Sequence, residues 1–244
     1  MVKKFILIKM TDWLERTELI LGIDGLQKLK SANVLVVGLG GVGAYAAEMI
    51  CRAGVGAMTI VDGDTIHVTN RNRQLPALKS TEGSAKAEVM GQRIKDINPD
   101  IKITVIQEYI KDERMVEVLE KDFDYVVDAI DTLSPKIFLI YHSLQRKLPV
   151  VSSMGAGGKF DPAMIAVSDI SETTNCPLAR ILRKRLHRLG VRDGFTAVYS
   201  TEVVDKSKII PMKGEQNKAS VVGTISKSCR HIGTEVFISL LPMS

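Results

Sequence analysis

The stretch VLVVGLGGVGAYAAE at residues 34–48 places a run of aliphatic residues directly before four glycines and an alanine-rich segment. This order predicts a buried strand, a tight turn and the start of a helix. Gly38, Gly40 and Gly43 have the spacing G-x-G-x-x-G, and turns of this kind present backbone N–H groups to phosphate oxygens. The turn alone leaves open whether the phosphate belongs to a dinucleotide or to a nucleoside triphosphate that is cleaved.

Apolar runs alternate with helical patterns on both sides of this turn. The predicted strands are 33–37, 58–61, 102–106, 125–129 and 149–153, with further strand patterns at 165–169 and 196–200. The predicted helices are 42–53, 84–97, 113–121, 135–147 and 177–189. Such alternation is typical of an α/β fold with a doubly wound, mostly parallel, Rossmann-like sheet, in which ligands bind at the carboxyl ends of the strands.

The order of these patterns predicts three parts of the chain. We expect an N-terminal arm with helices at 1–30, a nucleotide-binding domain at 31–170, and a small C-terminal portion at 171–244. The last part contains the helix at 177–189 and a tail. In that helix an apolar face is predicted from Leu178, Ile181, Leu182, Leu186 and Leu189.

The composition indicates a globular protein of a reducing compartment. The chain has 244 residues, is 45% hydrophobic and has a formal net charge of +5, which is compatible with a polyanionic partner. Its three cysteines form no C-x-x-C pair, so neither a disulfide framework nor a zinc site of that type is predicted. No signal peptide or membrane span is recognised, and we expect a cytoplasmic protein.

The residues after the second strand pattern narrow the choice of ligand. Asp62 lies where an acidic residue binds ribose hydroxyls, which a dehydrogenase would also have. Asp64, Asn70, Arg73 and Lys86 then follow, and Asp131 closes a later strand pattern. Two cations and a further carboxylate at the strand ends suit a reaction at a triphosphate, where phosphate charge must be neutralised and Mg²⁺ held. Asp128, three residues before Asp131, is equally well explained as the cap of a turn.

These motifs resemble, in order and spacing, the nucleotide site of the ThiF/MoeB/HesA adenylating enzymes, relatives of the ubiquitin-activating enzymes. The motifs are GLGGVG at 38–43, DGD at 62–64, NRNRQ at 70–74, Lys86, and DAID at 128–131. The resemblance covers roughly residues 16–223. It implies ATP and Mg²⁺, with a monovalent cation as a further candidate, and a homodimer.

The resemblance also implies a role for each matched residue. The nucleotide would be bound by Gly38, Gly40, Gly41, Gly43, Asp62, Asp64, Asn70, Arg73 and Lys86. Among these, Asp62 would bind the ribose, while Asn70, Arg73 and Lys86 would contact phosphates. Asp131 would hold the metal. Arg16, in the segment RTELILG, would reach the ATP of the partner subunit and, with Arg73, Lys86 and Asp131, complete the catalytic set.

A subgroup of this family, the tRNA threonylcarbamoyladenosine dehydratases, is similar in three later features. These are SMGAGGKFDP at 153–162, the basic helix, and GTIS at 223–226. The similarity implies a tRNA substrate whose carboxylate is adenylated by ATP and then closes to a cyclic oxazolone. Phosphate contacts would come from Arg180, Arg183, Lys184 and Arg188, although such a charge run is also compatible with a solvated helix face. A cysteine desulfurase or other sulfur-relay protein is a candidate partner.

Other functions are compatible with parts of the pattern. The main alternative is adenylation of the C-terminal Gly-Gly of a ubiquitin-like sulfur carrier, and the lack of C-x-x-C pairs disfavours it. A non-catalytic nucleotide-binding scaffold would have no use for Arg73, Lys86 and Asp131 together, and an NAD enzyme is the least favoured. Cys176 is interpreted as incidental, with a reactive thiol as the alternative. The tail after Ser226 departs from the subgroup, so we assign it no role.

Overall fold

A computed structural model describes residues 13–204 of the chain. The strands in this part are β1 Asn33–Val37, β2 Ala57–Val61, β3 Lys102–Ile106, β4 Tyr125–Asp128, β5 Val150–Ser153, β6 Ile165–Asp169 and β7 Thr196–Ser200. The α-helices are α1 Glu15–Ser31, α2 Gly43–Ala53, α3 Lys86–Ile97, α4 Asp112–Val118, α5 Leu133–Gln145 and α6 Pro177–Arg188.

The strands form one sheet in the order β3-β2-β1-β4-β5-β7-β6. All neighbours pair in parallel except β6, which runs antiparallel to β7 at the edge. The chain proceeds outward from β1 in one direction through β2 and β3, and in the other direction through β4 and β5. The carboxyl ends of β1 and β4 therefore flank the point where the strand order reverses, which is where such sheets bind ligands.

Both faces of the sheet are covered because β1 alternates its apolar side chains between two cores. Val34 and Val36 pack with residues of α2 and α3, such as Ile50 and Met90. Leu35 and Val37 pack on the other face, in the core that includes residues of α4, α5 and α6. A strand buried on both faces reads as a continuous apolar run, which explains why 33–37 shows no alternation with polar residues.

The predicted doubly wound, mostly parallel sheet is confirmed, and the predicted elements match the observed ones to within three residues at each end. The apolar face predicted for the helix at 177–189 was partly wrong. Ile181 and Leu189 are exposed, whereas Ala179, Leu182 and Leu186 are buried. The buried stripe is narrower than predicted because only the face of α6 that carries Ala179, Leu182 and Leu186 packs into the second core.

The three-part division at 30/31 and 170/171 stays a prediction. β7 lies within the main sheet, between β5 and β6, so residues after 170 contribute to the same sheet as the nucleotide-binding strands. GTIS, Cys229 and the tail after Ser226 lie outside the described residues. Among residues 13–204, no helix is both long enough and apolar enough to cross a membrane.

Candidate active site

The glycine turn between β1 and α2 forms one wall of a cleft at the carboxyl ends of the strands. Gly38 has φ +91°, and a Cβ there would lie 2.7 Å from the carbonyl oxygen of Ala129. A Cβ on Gly43 would lie 1.7 Å from the carbonyl oxygen of Gly38, so both glycines are required by packing. Gly40 is different, since the nearest atom to its Cβ position is Gln74 Nε2 at 3.7 Å. Gly40 and Gly41 line the cleft, where their backbone can approach a phosphate.

Asp62 joins the end of β2 to this turn. Its Oδ2 accepts a hydrogen bond from Leu39 N at 2.6 Å, and its Oδ1 accepts one from Asp64 N at 2.8 Å. Burial raises the pKa of the Asp62 carboxyl, against the lowering effect of these hydrogen bonds and of Lys86. Each carboxylate oxygen retains a further lone pair, so the residue can fix the turn and still accept a hydroxyl from the cleft.

Lys86, Asp64 and Tyr109 form a polar cluster beside this wall. The Lys86 side chain is 5% exposed, and its Nζ lies 2.8 Å from Asp64 Oδ2. The hydroxyl of Tyr109 donates to Asp64 Oδ1. Burial works to raise the pKa of the Asp64 carboxyl, but the hydrogen bonds from Lys86 and Tyr109 hold it below its ordinary value. The hydrogen bond to Asp64 is also the main cause that raises the pKa of Tyr109 to about 12.

Arg73 lies in the loop between β2 and α3 and lines the same cleft. Its Nη1 donates to the carbonyl oxygen of Thr69 at 3.2 Å and to Asn72 Oδ1 at 3.0 Å. Within the described part of the chain it forms no ion pair, so its positive charge is available to an anion. Asn70 uses Oδ1 to accept from His67 N at 3.0 Å, which closes the short helical turn before Arg73 and leaves the amide nitrogen for another acceptor.

Asp131 and Asp128 have different environments, although only three residues separate them. Asp131 is exposed and lines the cleft. Asp128 is 0% exposed, and its Oδ1 accepts from Ile130 N at 3.1 Å, so it does cap the turn. Its Oδ2 accepts from Ser152 Oγ at 2.6 Å and lies 2.7 Å from Lys136 Nζ. The buried carboxylate therefore holds the loop that presents Asp131.

The basic helix α6 begins at the cleft. Arg180 and Arg183 line it, while Arg180, Lys184 and Arg188 follow one another at four-residue intervals and are exposed. This spacing places the three cations in one stripe that runs from the cleft along the surface. Arg183 is half-buried and donates from Nη1 to the carbonyl oxygen of Thr173 at 2.7 Å and to its hydroxyl, so this nitrogen is already committed to the turn before α6.

Arg16 does not share the cleft with the other predicted residues. It is exposed on α1, and the residues that line the cleft do not include it. Leu14, near the start of the same helix, packs against Gly54, which precedes β2. Arg16 therefore lies towards the amino ends of the strands, away from the nucleotide wall.

Both described cysteines are buried. Burial raises the pKa of the Cys51 thiol to about 11, which agrees with a packed core residue. Cys176 is 6% exposed and begins α6, where its Sγ accepts from Ala179 N at 3.5 Å. The sulfur thus serves as a helix cap and also borders the cleft.

Three side chains near the site escaped the sequence analysis, namely Tyr109, Lys136 and Lys159, and Gln74 was recognised only as the last residue of the NRNRQ motif. Gln74 is 9% exposed, and its Oε1 has no partner among the described residues. Lys136 and Lys159 are fully buried, and burial lowers the pKa of Lys159. A charged residue within a helical or glycine-rich pattern predicts exposure, so the sequence contains no signal for these buried lysines. Tyr109 lies three residues after β3. Its contact with Asp64 could not be predicted, because the two residues are 45 positions apart in the sequence.

The cleft encloses about 1940 Å³ between the glycine turn, the loop after β4, and the segment from 153 to 159 together with the start of α6. A cavity of this size can hold a nucleotide and a second reactant. The structure brings together Gly40, Asp62, Asp64, Asn70, Arg73, Lys86 and Asp131, and it places Arg180 and Arg183 at the same cleft.

The chain is similar in sequence and in structure to proteins of known function. The chain is 42% identical over 187 residues to the tRNA threonylcarbamoyladenosine dehydratase of Bacillus subtilis, covering 77% of this chain and 74% of that protein. It is 41% identical over 202 residues to the dehydratase of Escherichia coli, covering 79% and 75%. The solved structure of the E. coli dehydratase in complex with ATP superposes with a TM-score of 0.84 at 36% identity, covering 93% of this chain and 90% of that one. The profile of the ThiF family matches residues 14–234, and the chain therefore belongs to the ThiF family.

Proposed function

We propose that this protein catalyses the ATP-dependent dehydration of threonylcarbamoyladenosine in tRNA. The observation that carries the proposal is the 42% identity to a dehydratase over about three quarters of both chains. The cleft supports it, since the matched nucleotide motifs and the start of the basic helix line one cavity. ATP is the nucleotide, as in the E. coli dehydratase complex.

The first step is adenylation of the substrate carboxylate. A carboxylate oxygen attacks the α-phosphorus of ATP, and the bond from that phosphorus to pyrophosphate breaks. Arg73 and Lys86 neutralise the phosphate charge, with Asn70 as a further donor, and Gly40 and Gly41 supply backbone N–H groups. Asp62 accepts from the ribose. Lys86 is held by Asp64 at 2.8 Å, which fixes the ammonium before ATP arrives.

In this proposal the carboxylate of Asp131, which is exposed in the cleft, would help to bind the Mg²⁺ that accompanies ATP. Among residues 13–204 there is no cluster of three or more metal-ligating side chains. This donor set suits Mg²⁺, which commonly binds through one or two carboxylates together with substrate phosphates and water. The metal, when bound, supplies charge neutralisation at the phosphates.

The second step is ring closure without an enzyme thiol. The ureido oxygen attacks the activated acyl carbon, AMP leaves with the former carboxylate oxygen, and the ureido N–H proton passes to solvent. The nucleoside thereby loses the elements of one water. Because this step needs no thiol, the proposal gives Cys176 only the structural part of capping α6.

The tRNA lies along α6 in this proposal. Arg180 at the cleft, followed by Lys184 and Arg188, provides a line of exposed cations for successive phosphates. Arg183 contributes less, because its Nη1 holds the turn before the helix. A tRNA substrate also makes a cytoplasmic location the expected one.

The functional unit in this proposal is a homodimer in which Arg16 completes the partner's site. Leu19, Ile20 and Ile23 are 76%, 82% and 59% exposed on either side of the kink of α1 at Gly22, and exposed large apolar side chains favour a protein interface. Arg16 lies on the same helix and outside its own cleft, so a second copy is the route by which it would reach ATP. A sulfur-relay partner stays a prediction from the resemblance.

One assay separates this function from the alternative. Pyrophosphate release from ATP is followed with either tRNA that contains threonylcarbamoyladenosine or a small carrier protein that ends in Gly-Gly. Release that depends on the modified tRNA supports the proposal. Release that depends on the carrier protein and not on tRNA overturns it.

A further inference from the structure

The glycine-rich segment at 153–162 contains a lysine, Lys159, that is 1% exposed although it borders the cleft. The Nζ of Lys159 donates to the carbonyl oxygen of Asn175 at 3.0 Å, to that of Ser200 at 2.9 Å, and to that of Glu202. An ammonium has three N–H donors. These three carbonyls match that number and come from two segments that are distant in sequence.

The same segments are joined by a second set of contacts. Glu202 Oε2 accepts from the backbone N–H groups of Phe160 and Asp161 at 2.8 and 2.9 Å. Asn175, which has φ +51°, donates from Nδ2 to the carbonyl oxygen of Thr201 at 2.8 Å. The loop after β5, the turn before α6 and the chain after β7 are therefore tied together around Lys159.

Close packing leaves this arrangement little freedom. Gly158 has φ +72°, and a Cβ there would lie 2.9 Å from Val204 Cγ1. The position after Asn175 is Cys176, the cap of α6, so the carbonyl held by Lys159 directly precedes the helix that presents Arg180. A movement of Lys159 is thus transmitted to the start of the basic helix.

These contacts lie on the wall of the cleft opposite the nucleotide motifs. The nucleotide wall consists of the glycine turn and the residues from Asp62 to Lys86, whereas the described hydrogen bonds of Lys159 go to the turn before α6 and to the chain after β7. We propose that Lys159 is a positioning residue that sets the tRNA-side wall of the cleft, by fixing the loop at 155–161 and the start of α6, and that it has no role in binding ATP. The inference rests on the proposed function, because it assigns the second reactant of that reaction to this wall.

The test is a set of substitutions measured with both substrates. Lys159→Met keeps the length of the side chain and removes the donor that the carbonyl oxygens of Asn175, Ser200 and Glu202 share. We expect the KM for modified tRNA to rise about ten-fold, as for the loss of a charge-assisted hydrogen bond, with the dissociation constant for ATP unchanged within about two-fold. Arg93→Met, which removes a cation from Glu48 on the other face of the sheet, is the control for general destabilisation.

Two further variants separate positioning from loss of fold. Lys159→Ala leaves room for an exogenous amine, so ethylammonium chloride should lower the raised KM, whereas tetramethylammonium chloride at equal ionic strength, which has no N–H donor, should not. Glu202→Gln leaves Lys159 in place and weakens the anchor of Phe160 and Asp161, so it should raise the same KM to a smaller extent. This second variant keeps the test decisive if Lys159→Met does not fold.

The inference is overturned if the KM for tRNA and the dissociation constant for ATP rise together, or if the KM for tRNA does not change. If the variants give either result while the wild-type protein dehydrates the nucleoside, only the role proposed for Lys159 is wrong. A wild-type protein that does not dehydrate the nucleoside overturns the proposed function itself.

Discussion

The ammonium of Lys136 lies 2.7 Å from Asp128 Oδ2, and both side chains are 0% exposed. Lys136 Nζ also donates to the carbonyl oxygen of Ile130 at 3.0 Å, and Asp128 Oδ1 accepts from Ile130 N at 3.1 Å, so the pair holds both backbone polar groups of the residue before Asp131. The net contribution of a buried ion pair to the free energy of unfolding is small, because desolvation of the two charges offsets their attraction. Removal of one partner is costly, because the other charge is then buried without compensation.

Replacement of Lys136 by methionine should therefore lower the free energy of unfolding by about 3–5 kcal/mol, measured by urea denaturation. The double variant Asp128→Leu, Lys136→Met should recover part of that loss, because no charge is then left buried. Lys79→Met, at an exposed position, should change the same free energy by no more than about 0.5 kcal/mol. Equal losses for Lys136→Met and Lys79→Met would show that the buried pair is not required.

Arg73→Ala should slow pyrophosphate release strongly while leaving the fold intact. Arg73 forms no ion pair among the described residues, so its removal strands no carboxylate, and kcat should fall by about 10²–10³ as for loss of a transition-state donor. Arg16→Ala should be similarly inactive if it acts on the partner's ATP. Thermal unfolding of each variant checks that the loss is not one of folding.

A mixture of the two inactive variants tests the trans arrangement. In a dimer with one copy of each, one site carries both substitutions and the other carries neither, so random exchange should restore about one quarter of the wild-type sites. Activity that stays at zero after subunit exchange has been verified would contradict the trans arrangement, because it would mean that Arg16 and Arg73 must come from the same subunit.

The triple variant Arg180→Ala, Lys184→Ala, Arg188→Ala should weaken tRNA binding and flatten its dependence on salt. Each lost phosphate contact reduces the slope of log K against log salt by somewhat less than one, so a decrease of about 2–3 is expected. Binding isotherms at several salt concentrations measure this slope.

A charge-matched control uses exposed lysines away from the cleft, namely Lys28, Lys79 and Lys121. Their replacement by alanine changes the net charge by the same amount and should leave the slope nearly unchanged. An equal decrease in both triple variants would mean that tRNA senses only net charge and not the α6 stripe.

The pKa of Tyr109 should be about 12, against an ordinary value of 10.0, chiefly because the hydrogen bond to Asp64 favours the protonated phenol, and further because of burial and the negative charge of Asp64. The difference in ultraviolet absorbance between the wild-type protein and Tyr109→Phe reports this group alone. Asp64→Asn removes the carboxylate and should bring the pKa of Tyr109 back towards 10.0. A pKa that is the same with and without Asp64 would contradict the hydrogen bond between them.

Glu48 should contribute stability that disappears in acid. Burial works to raise the pKa of this carboxyl, but hydrogen bonds from Arg93 and Arg52 outweigh it and keep the pKa below the ordinary 4.5. The contribution is therefore present above 4.5 and is lost as the pH falls through the lower, folded-state value. Because both arginines are almost half exposed, Glu48→Gln should cost about 1 kcal/mol at neutral pH.

The pH series decides this prediction. The difference in free energy of unfolding between wild type and Glu48→Gln should shrink as the pH falls below 4.5. A difference that is constant over this range would show that the carboxylate charge is not its source.

Much of this fold follows from local sequence signals. Residues 33–37 and the glycines after them define a strand, a turn and a helix, and the parallel sheet then brings Asp62 and Asp131 to one edge without further information. Gly38, Asp62 and Lys86 could be predicted because each lies at the end of a strand or the start of a helix, whereas Asn70 and Arg73 lie in the loop between β2 and α3 and were recognised by the NRNRQ motif. Their roles come from the family resemblance, and the substitutions above test them.

The other wall of the cleft could not be predicted in this way. Lys159 and Lys136 are charged, yet they are buried because backbone carbonyls and Asp128 meet them from distant segments. The exposed positions of Ile181 and Leu189 likewise depend on how much of α6 the sheet covers, which helical periodicity does not specify. Both cases require the tertiary arrangement.

The most direct test of the central claim is the mass of the modified nucleoside. The protein is incubated with ATP, Mg²⁺ and tRNA that contains threonylcarbamoyladenosine, and the tRNA is digested and analysed by mass spectrometry, with Arg73→Ala as the inactive control. We predict that the nucleoside loses the mass of one water, in step with the formation of AMP and pyrophosphate. An unchanged nucleoside mass, measured with wild-type protein that is folded and binds ATP, would contradict the account.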